Sequence, residues 1–251
     1  MKLRFFIVLT LYFISIVQTY AEEITVAVAS NFSAAMKDVV AEFEKESNHK
    51  VKLVFGSSGK FYAQIKNGAP FHIFFSADQV KPLALEEDGL IVANSRFTYV
   101  IGALALWSEN ADVVDDAGQV LQQNSFNKLA VANFKLAPYG IAALEVLESL
   151  NLLEILRGKL VQGENIAQTY QFVDTGNAEL GFVALSQIMH KESINKGSFW
   201  LVPSALYSPI RQDVVLLNRG ESSPAARELL DFVRSDKVIE LLESYGYRSE
   251  L

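Results

Sequence analysis

The sequence predicts an α/β fold in which strands and helices alternate around a mostly parallel sheet. Apolar runs rich in β-branched and aromatic residues alternate with stretches whose apolar residues recur at helical spacing. Several strands also end in a short turn of small polar residues that leads directly into a helix. This order is the one expected of parallel strands joined by helices.

The stretch from Ile24 to Phe43 shows the pattern first. An apolar, β-branched run predicts a buried strand, which stops at Ser30 and Asn31. Both residues are good N-caps, so we expect the helix that reaches Phe43 to begin here. In open α/β sheets such junctions face the crevice where ligands bind, and a helix N-terminus attracts anions.

The same order of strand, polar turn and helix follows twice more. A strand at 51–55 leads into Gly56-Ser57-Ser58-Gly59 and a helix that ends near residue 67. Ser57 is the expected helix cap, which leaves the hydroxyl of Ser58 for another role. A third strand at 71–75 ends in the polar turn 76–78 before a helix at 80–88.

The long apolar run from Phe97 to Trp107 predicts a strand that contains Gly102. A glycine inside a strand marks either a crossing between two domains or a simple bulge. Beyond it, strands are expected at 129–132, 180–185, 199–202 and 213–217. Helices are expected at 139–150, 151–160, 166–175, 225–234 and 238–245, with a partly helical stretch at 112–127.

Composition limits the classes of function. The chain has 251 residues, of which 50% are hydrophobic, so it can form one or two domains with a substantial core. Its net charge of -7 argues against nucleic acid as a partner. Because the chain has no cysteine, disulfides, thiol catalysis, thiolate metal sites and an N-terminal lipid-modified cysteine are excluded.

The first 21 residues have the features of a signal peptide. Lys2 and Arg4 precede an apolar run from Phe5 to Val17, and Ala21 ends a segment suited to cleavage. The apolar run is shorter than the ~20 residues that span a bilayer, which favours cleavage over a membrane anchor. We therefore expect a soluble, exported protein that resides in the periplasm and whose mature chain begins near Glu22.

Several segments along the whole mature chain form a set whose order and spacing are specific. These are Val28–Phe32, Phe55–Gly59, Gly68–Pro70, Phe75–Gln79 and Gly176–Gln187. Together they resemble the motifs of the molybdate-binding periplasmic proteins of ABC importers.

The resemblance implies a type II, two-lobed α/β fold, in which each lobe is a mostly parallel sheet flanked by helices and the ligand lies in the interlobe cleft. Residues 22–100 and 211–251 would form lobe 1, and residues 101–210 would form lobe 2. The implied partners are an oxyanion, molybdate or tungstate, and a membrane permease. We expect a monomer without a cofactor and without a protein-ligated cation.

The resemblance also implies the site residues, one position at a time. Ser30 and Asn31 match the first anion loop of the family, and Ser58 matches the serine of the second. Tyr139 falls at a helix start after Pro138, and Ile166 falls where the family usually has a valine that donates its backbone N–H. Some members place a tyrosine where this chain has Ala184, and we expect the hydroxyl of Tyr139 to replace it. His72 also departs from the family, which more usually has Asp there, and it is assigned no role.

The chemistry of these residues suits a fully deprotonated anion but leaves its identity open. Each proposed contact is a hydroxyl, an amide or a helix N-terminus, and a tetrahedral dianion offers only acceptors to such a ring of donors. Hydrogen phosphate would leave its own proton unmatched. Sulfate or another tetrahedral oxyanion would satisfy the same donors, and only cavity size separates it from molybdate. The family motifs favour molybdate.

An enzyme is the alternative from another class, because hydroxyls and N–H groups also form oxyanion holes. A hydrolase would need a base, yet His49, His72 and His190 all lie outside the proposed loops, and no Ser/His/Asp arrangement is apparent. We therefore expect no enzymatic activity. The effector lobe of a regulator is disfavoured by the export signal and by the lack of a DNA-binding module.

Overall fold

The structure is a computed structural model that describes residues 21–190, 193–194 and 196–250. Apart from Ala21, the predicted signal peptide at residues 1–21 lies outside these residues. Within them, no helix combines the length and apolar character needed to cross a membrane.

Among the described residues, twelve strands, β1 to β12, form two five-stranded sheets and a small hairpin. In chain order they are Glu23–Ala29, Lys50–Gly56, Ile73–Phe75, Phe97–Gly102, Leu104–Ser108, Leu129–Ala132, Leu160–Gly163, Leu180–Ala184, Met189–His190, Ser193–Ile194, Ser198–Leu201 and Ile210–Leu216. In the same part of the chain, ten α-helices, α1 to α10, surround the sheets. They are Ser33–Glu46, Ser58–Lys66, Val80–Glu87, Val120–Gln123, Pro138–Ser149, Leu153–Leu156, Ile166–Asp174, Leu185–Ile188, Pro224–Val233 and Asp236–Glu243.

The first sheet has the strand order β2-β1-β3-β12-β4. Strand β1 pairs in parallel with β2 and β3, whereas β12 runs antiparallel to β3 and β4. Helices α1, α9 and α10 bury apolar faces on this sheet, where Met36, Leu229 and Leu242 join one continuous core. We call this sheet and its helices the first lobe.

The second sheet has the order β11-β5-β8-β6-β7. Strands β8, β6 and β7 are parallel, and β5 pairs antiparallel with β8 and β11. Helix α5 packs on it through Ala143, Val146 and Leu147. This sheet with its helices is the second lobe. Two α/β lobes of this kind confirm the predicted fold class.

The chain changes sheet twice. The apolar run from Phe97 to Trp107, expected to be one strand, is divided at Ala103 into β4 of the first sheet and β5 of the second. The chain returns to the first sheet with β12, which begins at Ile210 rather than at the expected Asp213. The predicted lobe limits are 22–100 with 211–251 for the first lobe and 101–210 for the second. They lie within a few residues of these two changes of sheet and stay a prediction.

Two local predictions are wrong. Ser30 and Asn31 do not cap α1, because they form a short 3-10 turn, Ser30–Phe32, and the helix begins one residue later at Ser33. In addition, the helix expected at 151–160 is α6 followed by a 3-10 turn, Arg157–Lys159, and Leu160 already belongs to β7, whose pairing with β6 no local pattern reveals. The helix expected at 166–175 and the cap at Ser57 are confirmed.

Candidate oxyanion site between the lobes

A cavity lies between the lobes, where strands of both sheets end and helices begin. The cavity is small: the centre of a water-sized sphere can reach about 10 Å³ of it, within about 190 Å³ of empty space that includes open solvent. The lining contains all five residues that the sequence predicted for the site: Ser30, Asn31, Ser58, Tyr139 and Ile166. The other lining residues are Ala29, Gly56, Ser57, Ala77, Ala137, Pro138 and Asn165, so none of the lining residues carries a charge.

Three helix N-termini meet at this cavity. Ser58 is the first residue of α2, Tyr139 the second of α5 and Ile166 the first of α7. N–H groups at such positions have no intrahelical acceptor. Among the described residues, none of these three N–H groups donates to another protein atom. The aligned helix dipoles add partial positive charge at the same place.

The turns before α2 and α7 keep their first N–H groups free by capping later ones. Ser57 Oγ accepts from the N–H of Lys60 at 3.3 Å. Asn165 Oδ1 accepts from the N–H groups of Ala167 and Gln168 at 3.0 and 3.1 Å. The first N–H of each helix, that of Ser58 or Ile166, is left for a ligand. Asn165 was not among the predicted site residues, although its place before an apolar helix is a typical cap signal.

The hydroxyl of Ser58 is oriented by a neighbour in the first lobe. Its oxygen accepts from the N–H of Ala77 at 2.9 Å, and the residue is 1% exposed. A hydroxyl has a single proton, and this proton has no acceptor among the described residues. Ser58 can therefore donate both its O–H and its N–H to an anion in the cavity.

Asn31 is held by residues that lie far from it in sequence. Its Nδ2 donates to Gln212 Oε1 at 2.9 Å and to the hydroxyl of Tyr247 at 3.1 Å. Its carbonyl oxygen accepts from Tyr247 and from Ser186 of the second lobe, at 3.0 and 3.1 Å. Gln212, Tyr247 and Ser186 could not be predicted from the sequence, because contacts of this kind have no local signature.

Tyr139 is 1% exposed, and its hydroxyl lies deep between the lobes. The oxygen accepts from Gln212 Nε2 at 3.2 Å. A Cβ placed on Gly102 would lie 2.0 Å from this oxygen, so only glycine leaves room for it. Burial raises the pKa of Tyr139 well above its ordinary value, and the phenol keeps its proton at neutral pH. The side chain of Asn31 is a second hydrogen-bonding neighbour of this hydroxyl.

The rim of the cavity joins the lobes directly. The N–H of Gly59, in the first lobe, donates to the carbonyl of Leu136, in the second, at 2.9 Å. Outside this contact, Lys60 Nζ and Glu164 Oε2 form an exposed ion pair at 2.6 Å. The two lobes are therefore in direct contact at the rim of the cavity in this structure.

We expect Lys60→Gln to slow the association of an anion by about two- to fivefold at low salt, because Lys60 is an exposed cation in the first turn of α2, at the rim of the cavity of an acidic protein. Stopped-flow fluorescence would measure the rate. Lys66→Gln, which removes an exposed lysine paired with Asp88, is the matched control. Steering by Lys60 would be contradicted if Lys60→Gln associated with the anion at the wild-type rate. It would also be contradicted if salt did not change the association rate of either the wild-type protein or this variant.

The positions predicted to have no site role lie elsewhere. His72 Nδ1 accepts from the N–H of Thr25 at 3.0 Å, and His49 Nδ1 accepts from that of Glu22 at 3.2 Å, both within the first lobe. The side chain of His190 lies outside the described residues. Ala184 is fully buried at the end of β8, and its N–H donates to Gln187 Oε1 at 2.9 Å.

Two α/β lobes joined by crossing strands, with a neutral ring of donors in the cleft between them, define a two-lobed binding protein. Residues 24–248 match the bacterial extracellular solute-binding protein family. The chain belongs to this family, and it is a binding protein rather than an enzyme.

Several proteins of known name align with this chain over nearly its full length. The chain is 53% identical over 227 residues to the molybdate-binding protein ModA of Azotobacter vinelandii, with 90% of each protein covered. It is 46% identical over 230 residues to ModA of Rhodobacter capsulatus, covering 92% of this chain and 90% of that protein. A solved A. vinelandii periplasmic molybdate-binding protein superposes with a TM-score of 0.88 at 36% identity, covering 91% of this chain and all of that one. The resemblance stated from the motifs is confirmed.

Proposed function

We propose that this protein binds molybdate, and also tungstate, in the periplasm and delivers it to the membrane permease of an ABC importer. The neutral lining of the cavity carries the proposal. N–H groups at helix starts and the hydroxyls of Ser58 and Tyr139 offer protons only, and a fully deprotonated tetrahedral anion offers acceptors only. The names of the relatives support molybdate among such anions.

The strength of binding follows from the number of charge-assisted hydrogen bonds that the cleft can offer. Each hydrogen bond to a charged group contributes ~1.5–3 kcal/mol, and several converge here. Lys or Arg is not needed, because oriented dipoles supply the positive potential. We infer that the protein acts as a monomer and needs no cofactor, since the proposed donors lie on a single chain.

Isothermal titration calorimetry with four anions tests this function. Molybdate and tungstate are expected to bind tightly, sulfate much more weakly because it is smaller, and phosphate least because its proton faces a donor. Sulfate that binds as tightly as molybdate would instead favour a general oxyanion carrier. Absence of binding by any of the four would overturn the proposal.

Tyr139→Phe is expected to reduce molybdate affinity by about tenfold. The change removes one donor to the anion and leaves the N–H of Gln212 without its acceptor in the closed cleft. Titration calorimetry measures the affinity, and thermal melting of the ligand-free protein reports stability. Tyr170→Phe is the control, since its hydroxyl contacts Asp174 outside the cavity. Equal affinities for Phe and Tyr at position 139 would leave the hydroxyl without a role.

A further inference from the structure

We propose that Gln212 is a positioning residue that sets the direction of the hydrogen bonds behind the anion site, so that Tyr139 presents its proton to the ligand. Gln212 does not line the cavity, yet its side-chain amide contacts one predicted site residue from each lobe. This inference rests on the proposed function, and it concerns how the site is prepared for an anion that only accepts.

The fold places Gln212 at the junction of the lobes. It lies in β12, immediately after the chain returns from the second lobe, and it is fully buried. The pairing of β12 with β4 shifts register between Gln212 and Asp213, and such bulges redirect a side chain. A Cβ on Gly102 would lie 2.6 Å from Gln212 Nε2, so the glycine of β4 provides the space for the amide.

The direction of the network is fixed by a backbone carbonyl. The carbonyl oxygen of Asn31 can only accept, so the hydroxyl of Tyr247, 3.0 Å away, must donate to it. Having used its proton, Tyr247 accepts from Asn31 Nδ2 at 3.1 Å. The orientation of the Asn31 amide follows from these contacts and is not an arbitrary choice.

The side-chain amide of Gln212 extends this hydrogen-bond network, and its orientation is fixed in the same way. Asn31 Nδ2 donates to Gln212 Oε1 at 2.9 Å, and the hydroxyl of Tyr99 lies 3.1 Å from that oxygen. The amide nitrogen therefore faces the other way and donates to Tyr139 at 3.2 Å. Since the Tyr139 oxygen accepts this bond, its proton must point to a different acceptor, which the anion supplies.

Glutamine meets these requirements because one end accepts and the other donates. A glutamate of the same shape would accept at both ends, so Tyr139 would turn its proton toward the carboxylate and away from the ligand. A methionine would fill the space but fix neither Asn31 nor Tyr139. The amide thus couples an anion loop of the first lobe to a helix start of the second.

A double-mutant cycle with molybdate tests the role of Gln212. We expect Gln212→Met to reduce affinity by about tenfold in the wild-type background, and by less than about threefold when Tyr139 is already Phe. Gln79→Met is the matched control. It removes a glutamine bonded to Thr98 and Asp213 within the first lobe, and we expect its affinity to stay within about twofold of wild type.

Gln212→Glu provides a second route if the methionine variant does not fold. It keeps the acceptor for Asn31, and we expect it to bind molybdate at least about tenfold more weakly than wild type. Normal affinity in either variant, or fully additive losses in the cycle, would overturn the role of Gln212 while leaving the proposed function intact. Failure of the wild-type protein to bind molybdate would overturn the proposed function itself, and this inference with it.

Discussion

Gly59→Ala is expected to reduce molybdate affinity by roughly ten- to hundredfold, which corresponds to ~1.4–2.8 kcal/mol, without destabilising the free protein. A Cβ at this position would lie 2.9 Å from Leu136 Cα and 3.0 Å from its carbonyl oxygen. Leu136 belongs to the opposite lobe, so the clash exists only when the lobes close. The added methyl group would hold the rim open and lengthen the bonds across the cleft.

The ligand-free protein distinguishes this effect from ordinary misfolding. Gly59 lies inside the first turn of α2, and alanine favours a helix by up to ~1 kcal/mol over glycine. The melting temperature of the free variant should therefore be unchanged or higher, while affinity measured by calorimetry falls. Gly158→Ala is the control, because no atom lies within 4 Å of its added Cβ. Wild-type affinity in Gly59→Ala would show that binding does not require this closed rim.

Ser58→Ala is expected to reduce molybdate affinity by a similar factor, roughly ten- to hundredfold. The hydroxyl proton of Ser58 has no acceptor among the described residues, because the oxygen is already an acceptor for Ala77. Loss of one donor to a charged ligand costs ~1.5–3 kcal/mol. Titration calorimetry would measure the change, and affinity within twofold of wild type would contradict a contact between this hydroxyl and the anion.

Ser57→Ala is the natural comparison, since the neighbouring serine has a different task. Its hydroxyl caps α2 through the N–H of Lys60. Loss of a cap costs ~1 kcal/mol of stability, so the melting temperature should fall more than the affinity. The opposite pattern, with Ser57 controlling affinity and Ser58 controlling stability, would reverse the roles assigned to the two residues.

The sequence was most informative where a structural element and its site residue are adjacent in the chain. Ser58 follows β2 and opens α2, and Ile166 opens α7, so periodicity and cap chemistry were enough to place both at helix starts. The sheet to which each strand belongs was harder to predict. The run from Phe97 to Trp107 is continuously apolar because both of its halves are buried, and its division at Ala103 leaves no trace in that pattern.

The contacts behind the site could not be predicted, because they join distant parts of the chain. Asn31 and Gln212 are 181 residues apart, and Asn31 and Tyr247 are 216 apart. Asn31 was expected to cap a helix on local grounds, but its amide instead satisfies these buried partners. A buried polar group must find such partners, and the tertiary fold rather than local propensity decides which they are.

A crystal of the protein grown with molybdate, with diffraction recorded at the molybdenum absorption edge, tests the central claim most directly. We expect a single anomalous peak between the lobes, with anion oxygens at ~2.7–3.2 Å from Ser58 Oγ and from the N–H groups of Tyr139 and Ile166. A peak outside this cavity, or an anion held by lysine or arginine side chains, would contradict a site formed by neutral donors at helix N-termini.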